Sequence, residues 1–363
     1  MLGSVEVPAV ESALRIHGGL SEQEALAIGV DPDRVIDFSV SANTYGPCES
    51  VIEAVRAARI DRYPDPRARR ACSAIAGCFG QDADAVALGN GACELLWTLA
   101  RSLTQDNTVV VIAGPTFSEF RAAVEHCGAV VHEWRAGPRN GFEVDLQALE
   151  REVFEHDASV VYLCSPNTPT GAALRAGDIS RFAEAANDAT IIVDQSFLSL
   201  SEHADDLFVR MPTNVVCVRS MTKEHAIPGV RLGYVVAAPR FIARLEAARP
   251  AWSTSAMAQA AALAACQALD FVAESRRKLL EDRAELEHML RGHGLYAATS
   301  SAPFIVVNVG DAHGLRERLL RRHALLVRDC ASFGLPEWIR LAARPKVDRE
   351  RLETALKDEL CRC

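Results

Sequence analysis

Four short, continuous apolar runs in the middle of the chain constrain its fold more than any other feature. They are VVVIAG (Val109–Gly114), VVYLC (Val160–Cys164), IIVD (Ile191–Asp194) and VVCVR (Val215–Arg219). The helix-like stretches FSEFRAAVEHC and DISRFAEAAND follow the first two runs. β-branched runs of this length, separated by helices, predict a parallel sheet that is buried on both faces. We expect GYVVAA, which follows Arg231, to add an antiparallel strand at the edge of this sheet.

The segments that precede and follow this sheet in sequence predict an N-terminal arm and a C-terminal domain. From about Ser253 to Gly294 a helical pattern runs with little interruption. The order strand, helix, strand, strand, helix follows it and predicts a small α+β domain. We therefore divide the chain into an N-terminal arm (1–50) that contributes to the small domain and the substrate site, a large α/β domain (51–250), and a long connecting helix with a small C-terminal domain (251–363).

The charge balance and the cysteines narrow the class of protein. A net charge of −9 and a pI near 5.6 argue against nucleic acid or an anionic membrane as a partner. The start of the chain lacks the pattern of an export signal, and no apolar stretch reaches the length of a membrane span, so we expect a cytoplasmic protein. The 11 cysteines form no C-x-x-C pair, which predicts reduced thiols. The terminal Cys361 and Cys363 have no second cluster, and we predict no metal site.

The loops that follow the predicted strands are where ligands of a parallel sheet bind. In LGNGACELLWTLA, Gly89 and Gly91 precede a helix. Glycines allow the backbone to approach a ligand, and a helix N-terminus offers free N–H groups to an anion. The third glycine of a dinucleotide fingerprint is missing, which counts against a nicotinamide-dependent dehydrogenase. This loop therefore predicts either a phosphate cradle or a plain tight turn.

Two later strand ends carry charged side chains. Asp194 ends the run IIVD, and a carboxylate there is costly to bury unless it has a partner, so it is either an ion-pair partner or a helix cap. The segment SMTKEHAIPGVRLGY brings Ser220, Thr222, Lys223 and Arg231 after the next run. A lone lysine in a loop is usually solvated. Together with a phosphate cradle and Asp194, however, it supplies what pyridoxal phosphate requires: an amine for a Schiff base, a carboxylate for the pyridine nitrogen and donors for the phosphate.

The order GNG, PTF, PNxPTG, D-x-x-F, S-x-T-K and GxRLGY resembles the fold-type I pyridoxal-phosphate enzymes of the aminotransferase class I/II group. Within that group the chain is similar, over nearly its full length, to the histidinol-phosphate aminotransferase and threonine-phosphate decarboxylase branch. RYPDP (Arg62–Pro66), the YGP of Tyr45–Pro47, LLVRDC and WIRLAA also have counterparts there. The resemblance implies an aspartate-aminotransferase-like α/β fold, with a mostly parallel central sheet, helices on both faces and a small α+β C-terminal domain.

The resemblance also implies roles for individual residues. Lys223 is expected to form the Schiff base, Asp194 to pair with the pyridine nitrogen and Phe117 to stack on the ring. Tyr63 matches a tyrosine that reaches the active site of a partner subunit, which implies a homodimer that shares its active sites. The remaining residues that the resemblance places around pyridoxal 5'-phosphate are Gly91, Ala92, Cys93, Asn167, Thr168, Phe197, Ser220, Thr222 and Arg231.

On the substrate side, Arg340 matches the arginine that binds the α-carboxylate, a bidentate task that suits a guanidinium. His17, in RIHGG, resembles the histidine with which the decarboxylases bind the phosphate of their substrate. Arg328 matches a further phosphate or carboxylate ligand, and Arg344 a second basic residue of the decarboxylases. We also place Asn43 on the substrate side. The alternative is that His17 and Arg344 are ordinary surface residues.

The chain departs from the family pattern close to the expected cofactor. Thr168 replaces the asparagine of PNNPTG, and Phe197 replaces a tyrosine, so both usual hydrogen-bond partners of the cofactor O3′ have changed. Weaker donors there alter the electron-sink behaviour of the cofactor. Glu224 and His225 follow Lys223 where the decarboxylases have aromatic residues. These two side chains either contact substrate as an acid or base, or face solvent.

Three reactions therefore remain open for this chain. Decarboxylation of a small amino acid resembling threonine O-phosphate is our first hypothesis. Amino transfer of the histidinol-phosphate type is the alternative, and elimination or cyclisation of a side chain is the third. A non-catalytic binding module is the rival from another class, but such a module would normally lose Lys223 or carry a DNA-binding segment.

Overall fold

A computed structural model describes residues 17–206 and 211–360 of the 363-residue chain. Our prediction that the start of the chain is not an export signal concerns Met1–Ile16, which lie outside the described residues. The terminal Cys361 and Cys363 also lie outside them. The strands are β1 (Ile36–Asp37), β2 (Val86–Gly89), β3 (Val109–Gly114), β4 (Val130–Arg135), β5 (Val160–Cys164), β6 (Thr190–Asp194), β7 (Val215–Ser220), β8 (Gly233–Ala237), β9 (Tyr296–Ala297), β10 (Phe304–Asn308), β11 (Leu325–Leu326), β12 (Arg328–Asp329) and β13 (Trp338–Ala342).

The helices pack on both sides of the strands. They are α1 (Glu22–Ile28), α2 (Glu49–Arg56), α3 (Arg69–Cys78), α4 (Ala92–Leu103), α5 (Glu119–His126), α6 (Leu146–Glu155), α7 (Ala176–Ala185), α8 (Met221–Glu224), α9 (Pro239–Ala248), α10 (Ala256–Ala265), α11 (Leu269–Gly292), α12 (Ala312–His323) and α13 (Lys346–Leu360). Side-chain caps fix several of the starts: Asp145 accepts from two N–H groups of α6, and Ser255 accepts from the N–H of Ala258 in α10.

The central sheet has seven strands in the order β2-β8-β7-β6-β5-β3-β4. The four apolar runs form β3, β5, β6 and β7, which pair in parallel as predicted. Separate apolar clusters cover the two faces of the sheet, which explains why these strands are apolar throughout. The expected strand GYVVAA forms β8 and is antiparallel, but our prediction that it lies at the edge is wrong. It lies between β2 and β7, and β2 takes the edge.

The second part of the molecule is built on the C-terminal residues. An antiparallel sheet, β12-β13-β10-β9, packs with α12 and α13 around an apolar cluster of its own. β1, from the N-terminal region, pairs in parallel with β11. The helical pattern that we predicted to run with little interruption forms two helices, since α10 and α11 meet at a 78° bend. No single helix in the described ranges is long and apolar enough to cross a bilayer; α10 and α11 reach that length and apolar content only together, across the bend.

Candidate active site

A cavity of about 400 Å³ lies between the ends of the central-sheet strands and the C-terminal antiparallel sheet. We call it the front cavity. Most of the residues predicted from the sequence line it: His17, Ala92, Cys93, Phe117, Thr168, Asp194, Phe197, Ser220, Thr222, Lys223, Arg231, Arg328 and Arg340. Gly18, Ser39, Val40, Ser41, Cys164, Ser196, Pro228 and Phe333 complete the wall. The chain therefore brings these distant segments together at the carboxyl ends of parallel strands, where such sheets bind ligands.

Lys223 lies in the four-residue helix α8, directly after β7. Burial lowers the pKa of its amine from 10.5 to about 8, and the nearby charges of Arg340 and Arg231 act in the same direction. The charge of Asp194 acts in the opposite direction. An amine with this pKa is neutral in a substantial fraction of molecules at physiological pH, which is what a nucleophile or a base requires.

Asp194 ends β6 and is only 3% exposed. Its carboxylate accepts hydrogen bonds from the Tyr162 hydroxyl at 3.1 Å and from the backbone N–H of Ser196 at 2.9 Å. Burial nevertheless raises the pKa of Asp194, so these donors and the charge of Lys223 do not fully compensate for the loss of water. A protonated ring nitrogen in the cavity would supply the missing positive charge.

The start of α4 forms an anion cradle opposite Lys223. Gly91 precedes this helix with φ = +84°, and a Cβ atom there would lie 2.6 Å from Nη2 of Arg231. Glycine is thus required both by the backbone conformation and by the close approach of the guanidinium. The hydroxyls of Ser220 and Thr222, which also line the front cavity, lie 2.6 Å apart. Helix N–H groups, two hydroxyls and a guanidinium together suit a phosphate.

The loop after β5 contributes only one of its two predicted side chains. The hydroxyl of Thr168 is buried at the cavity and has no hydrogen-bond partner among the described residues. Asn167 turns away: its amide donates to the Pro115 carbonyl and to the Thr170 hydroxyl, both at 2.9 Å. Asn167 thus fixes the loop, whereas Thr168 offers a hydroxyl to a ligand.

Two arginines form the opposite wall. Arg328 and Arg340 are directly paired across β12 and β13, and both are less than 10% exposed. Arg340 donates to the Ser39 carbonyl at 2.7 Å, and its Nε has no partner among the described residues. Burial lowers the pKa of Arg340 to about 10. Arg328 donates to the Ser332 hydroxyl at 2.7 Å. Two guanidiniums buried side by side suit an anionic ligand, because a charge inside a protein needs a compensating charge.

Comparisons with known proteins agree with this arrangement. The model of the aminotransferase class I and II family matches residues 33–358. The chain belongs to this family. A histidinol-phosphate aminotransferase of Symbiobacterium thermophilum is 32% identical over 332 residues, which cover 90% of this chain and 91% of that protein.

Solved structures of the same family share the fold. The histidinol-phosphate aminotransferase from Sinorhizobium meliloti, in complex with pyridoxal-5'-phosphate, superposes with a TM-score of 0.81 at 25% identity, covering 88% of this chain and 89% of that one. The L-threonine-O-3-phosphate decarboxylase from Porphyromonas gingivalis has a TM-score of 0.78 at 24% identity, with 89% and 98% covered. The predicted fold type I architecture is therefore confirmed.

The front cavity of this class I and II family member fits pyridoxal 5'-phosphate. The cradle at Gly91 and Arg231 suits the phosphate, and the buried carboxylate of Asp194 suits the ring nitrogen. Lys223 supplies the amine, and Thr168 supplies an unpaired hydroxyl. Phe117 lines the wall on which a ring would stack. The cradle, the buried carboxylate, the amine and the unpaired Thr168 hydroxyl thus each correspond to one part of the cofactor.

Seven predicted site residues do not line the front cavity: Asn167, which turns away, Gly91, whose backbone belongs to the cradle, and Tyr63, Asn43, Glu224, His225 and Arg344. Arg344 donates to Asp348 at 2.8 Å and to the Asp37 carbonyl at 3.1 Å. Tyr63 is 79% exposed and packs on Trp252, with ring centroids 4.8 Å apart.

Glu224 and His225 instead line a second cavity of about 300 Å³ behind α8, which we call the rear cavity. The Glu224 carboxylate accepts a short hydrogen bond from the Ser199 hydroxyl and lies 3.7 Å from Nε2 of His225. His225 is 1% exposed, so the expectation that these side chains either contact substrate or face solvent misses a third arrangement. They are packed inside the protein, on the far side of the lysine helix.

Two residues at the site were not predicted from the sequence. Glu119 is buried, and its carboxylate accepts from Trp97 Nε1 at 2.7 Å and contacts Nε2 of His17 at 2.8 Å. Tyr162 holds Asp194. The available signals were a glutamate two residues after Phe117, and a tyrosine whose hydroxyl needs a partner inside an otherwise apolar run.

Proposed function

We propose that this pyridoxal-phosphate enzyme transfers an amino group to or from a small phosphorylated amino compound of the histidinol-phosphate type. The observation that carries the proposal is the pair of buried guanidiniums, Arg328 and Arg340, on the cavity wall. The names of similar curated relatives support transfer. They favour it over decarboxylation, which the sequence analysis put first.

The two arginines suit both halves of such a reaction. A phosphate monoester and the α-carboxylate of an amino acid donor are both anions that guanidiniums bind through paired hydrogen bonds. Arg340 is held by the Ser39 carbonyl, so its free Nε is already oriented when the anion arrives. Pre-orientation of this kind reduces the entropy that substrate binding costs.

The other residues act on the proton at the substrate's α-carbon. When bound, pyridoxal phosphate supplies an electron sink next to that carbon. Asp194 would stabilise a positive charge on the ring nitrogen, because a buried carboxylate stabilises a cation beside it. Lys223, with a pKa of about 8, accepts the α-proton and returns it to a neighbouring atom. The apolar faces of Phe117 and Phe197 keep water away from this exchange.

Decarboxylation of a compound resembling threonine O-phosphate is the second candidate. It is favoured by His17, which lies on the cavity wall with its ring centroid 5.8 Å from that of Phe117. A third cationic or hydrogen-bonding group there would let a phosphate and a carboxylate bind at the same time. With both anions held there, the bond to the carboxylate, rather than the bond to hydrogen, would be the one that breaks, and CO₂ would leave.

We further propose a homodimer in the cytoplasm, in which Tyr63 completes the partner's cavity. Tyr63 does not line the front cavity of its own chain, and it forms an exposed aromatic pair with Trp252. Large exposed aromatic side chains of this kind are typical of protein interfaces. Sedimentation of the wild type and of Tyr63→Arg tests the dimer.

The reaction is tested by offering both substrates to the purified enzyme loaded with pyridoxal phosphate. Histidinol phosphate with 2-oxoglutarate should yield glutamate, and threonine O-phosphate should release little CO₂. Lys223→Ala serves as the control that lacks the amine. Release of CO₂ without formation of glutamate would mean that the enzyme is a decarboxylase and not an aminotransferase. If neither substrate gives a product, the elimination or cyclisation that the sequence left open would be favoured.

A further inference from the structure

We propose that Asn43 is a positioning residue for Lys223, and that residues 39–43 tie the lysine helix to Arg340 across the wall of the front cavity. We call residues 39–43 the crossing segment. The inference rests on the proposed function in one respect, namely that Lys223 is the reactive amine. It replaces the direct contact with substrate that the sequence analysis expected of Asn43.

The backbone N–H, the side-chain amide and the side-chain oxygen of Asn43 each form a hydrogen bond within the protein. Its backbone N–H donates to the Lys223 carbonyl, and its side-chain amide donates to the Glu224 carbonyl, both at 2.9 Å. Its side-chain oxygen accepts from the N–H of Tyr45 at 2.9 Å. Asn43 is 4% exposed and does not line the front cavity. The side chain is thus committed to the end of α8 and is not available to a substrate.

The other end of the crossing segment is held by the opposite wall. The Ser39 carbonyl accepts from Nη2 of Arg340 at 2.7 Å, and the preceding Phe38 carbonyl accepts from the N–H of Ala342 at 2.9 Å. Between these anchors, Ser39, Val40 and Ser41 line the cavity itself. The four residue steps from Ser39 to Asn43 span at most about 14 Å, so the segment limits the distance between the Arg340 guanidinium and the end of α8.

The lysine helix needs such an external anchor. α8 has only four residues, and its N-cap Ser220 makes no side-chain capping hydrogen bond. Ala226, just beyond it, has a left-handed backbone with φ = 54°. A single helical turn is not stable by itself, because nucleation costs more than one turn of hydrogen bonds returns. The position of Lys223 is therefore set by the contacts that hold α8 from outside, and Asn43 makes two of them.

The test compares Asn43→Ala with Thr44→Val, a matched neighbour in the same loop. Thr44 has a buried hydroxyl without a partner among the described residues, so its replacement by the isosteric valine removes no hydrogen bond seen there. The first measurement uses the cofactor-free protein and the pH dependence of acylation of the Lys223 amine, located by mass spectrometry. Asp194, Arg231 and Arg340 face this amine and stay unchanged in both variants. The second measurement is kcat and KM of the loaded enzyme.

We expect Asn43→Ala to raise the midpoint of acylation from about 8 towards the ordinary lysine value, because a loosened helix lets water reach the amine. We expect kcat to fall about 10- to 100-fold, as for a misplaced catalytic group, with KM nearly unchanged. Thr44→Val should match the wild type in both measurements. Asn43→Asp, which keeps the acceptor for Tyr45 but lacks the amide donor, serves if the alanine variant does not fold.

Two results would overturn the proposal. An acylation curve and a kcat that stay at wild-type values while the melting temperature falls would reduce Asn43 to a purely structural role. A rise in KM as large as the fall in kcat/KM would instead make it a substrate ligand, as the sequence suggested. The acylation measurement needs no substrate, so it stands even if the enzyme proves inactive with histidinol phosphate.

Discussion

Lys223 and Glu224 are neighbours in sequence, yet they face two different cavities. The front cavity collects a lysine with a lowered pKa, a buried carboxylate, an anion cradle and two guanidiniums. In the rear cavity Glu224 is satisfied by Ser199, and His225 stacks on Phe271. In the front cavity the Thr168 hydroxyl and Nε of Arg340 have no partner among the described residues, whereas the rear carboxylate accepts from Ser199. Proximity in sequence to Lys223 therefore does not place a side chain in the front cavity.

The sharpest test of this difference exchanges one carboxylate on each side for its amide. Asp194→Asn should lower kcat about 10²- to 10³-fold, because a neutral amide cannot hold a positive charge on the cofactor ring. Glu224→Gln should stay close to the wild type, since an amide can still accept from the Ser199 hydroxyl. Steady-state kinetics and the affinity for the cofactor measure both. If kcat fell by a similar factor in both variants, the idea that only the front cavity takes part in the reaction would be wrong.

A second test concerns the cost of placing a lysine charge in the front cavity. In the cofactor-free protein the shift from 10.5 to about 8 corresponds to a penalty on the order of 3 kcal/mol for the protonated amine. Well below pH 8 Lys223 is protonated in both the folded and the unfolded chain, so the free energy of unfolding is lowered by the full penalty. Between pH 8 and 10.5 the unfolded chain binds more protons, and the stability of the wild type rises with pH.

Lys223→Met should therefore melt at a higher temperature than the wild type at pH 7, and this advantage should shrink as the pH rises above about 8. Calorimetry of both proteins without cofactor, from pH 6.5 to 10, measures the effect. A difference in melting temperature that is the same at every pH would mean that the gain comes from packing and not from the lysine charge.

The sequence predicted the front cavity better than the rear one for a physical reason. Strand ends and glycine turns are local features, and parallel strands must carry the loops after them to one edge of the sheet. Lys223, Asp194 and Arg231 follow from that rule. The direction of Glu224 does not, because one turn of helix points consecutive side chains about 100° apart. Which of them faces the ligand depends on the packing of distant segments such as the loop at Ser199.

The same limit explains the errors in the fold. The apolar pattern identifies GYVVAA as a strand, but its neighbours are chosen by pairing with β2, which is distant in sequence. The helical pattern from Ser253 onwards is continuous in composition, yet the chain bends between Ala265 and Leu269 so that α10 packs on the sheet side and α11 leads to the second part. Local periodicity does not contain these long-range choices.

The smallest expected effect lies in the rear cavity and concerns His225→Phe. The imidazole is 1% exposed, and its Nδ1 has no partner among the described residues, which costs about 1 kcal/mol or more. Phenylalanine keeps the stacking on Phe271, whose ring centroid lies 6.3 Å away, and removes the unpaired nitrogen. The variant should therefore be slightly more stable than the wild type at pH 7, with unchanged kcat.

The advantage of His225→Phe should grow as the pH falls. Burial lowers the pKa of His225 below the unfolded value of 6.5. As the pH falls below 6.5, the unfolded chain therefore binds a proton before the folded chain does, and the wild type loses stability until the pH has passed the folded pKa. Phenylalanine does not titrate, and urea unfolding at pH 7.5 and pH 5.5 measures the change. A variant that is less stable than the wild type at both values would mean that Nδ1 has a partner, and a loss of kcat would show that the rear cavity takes part in the reaction.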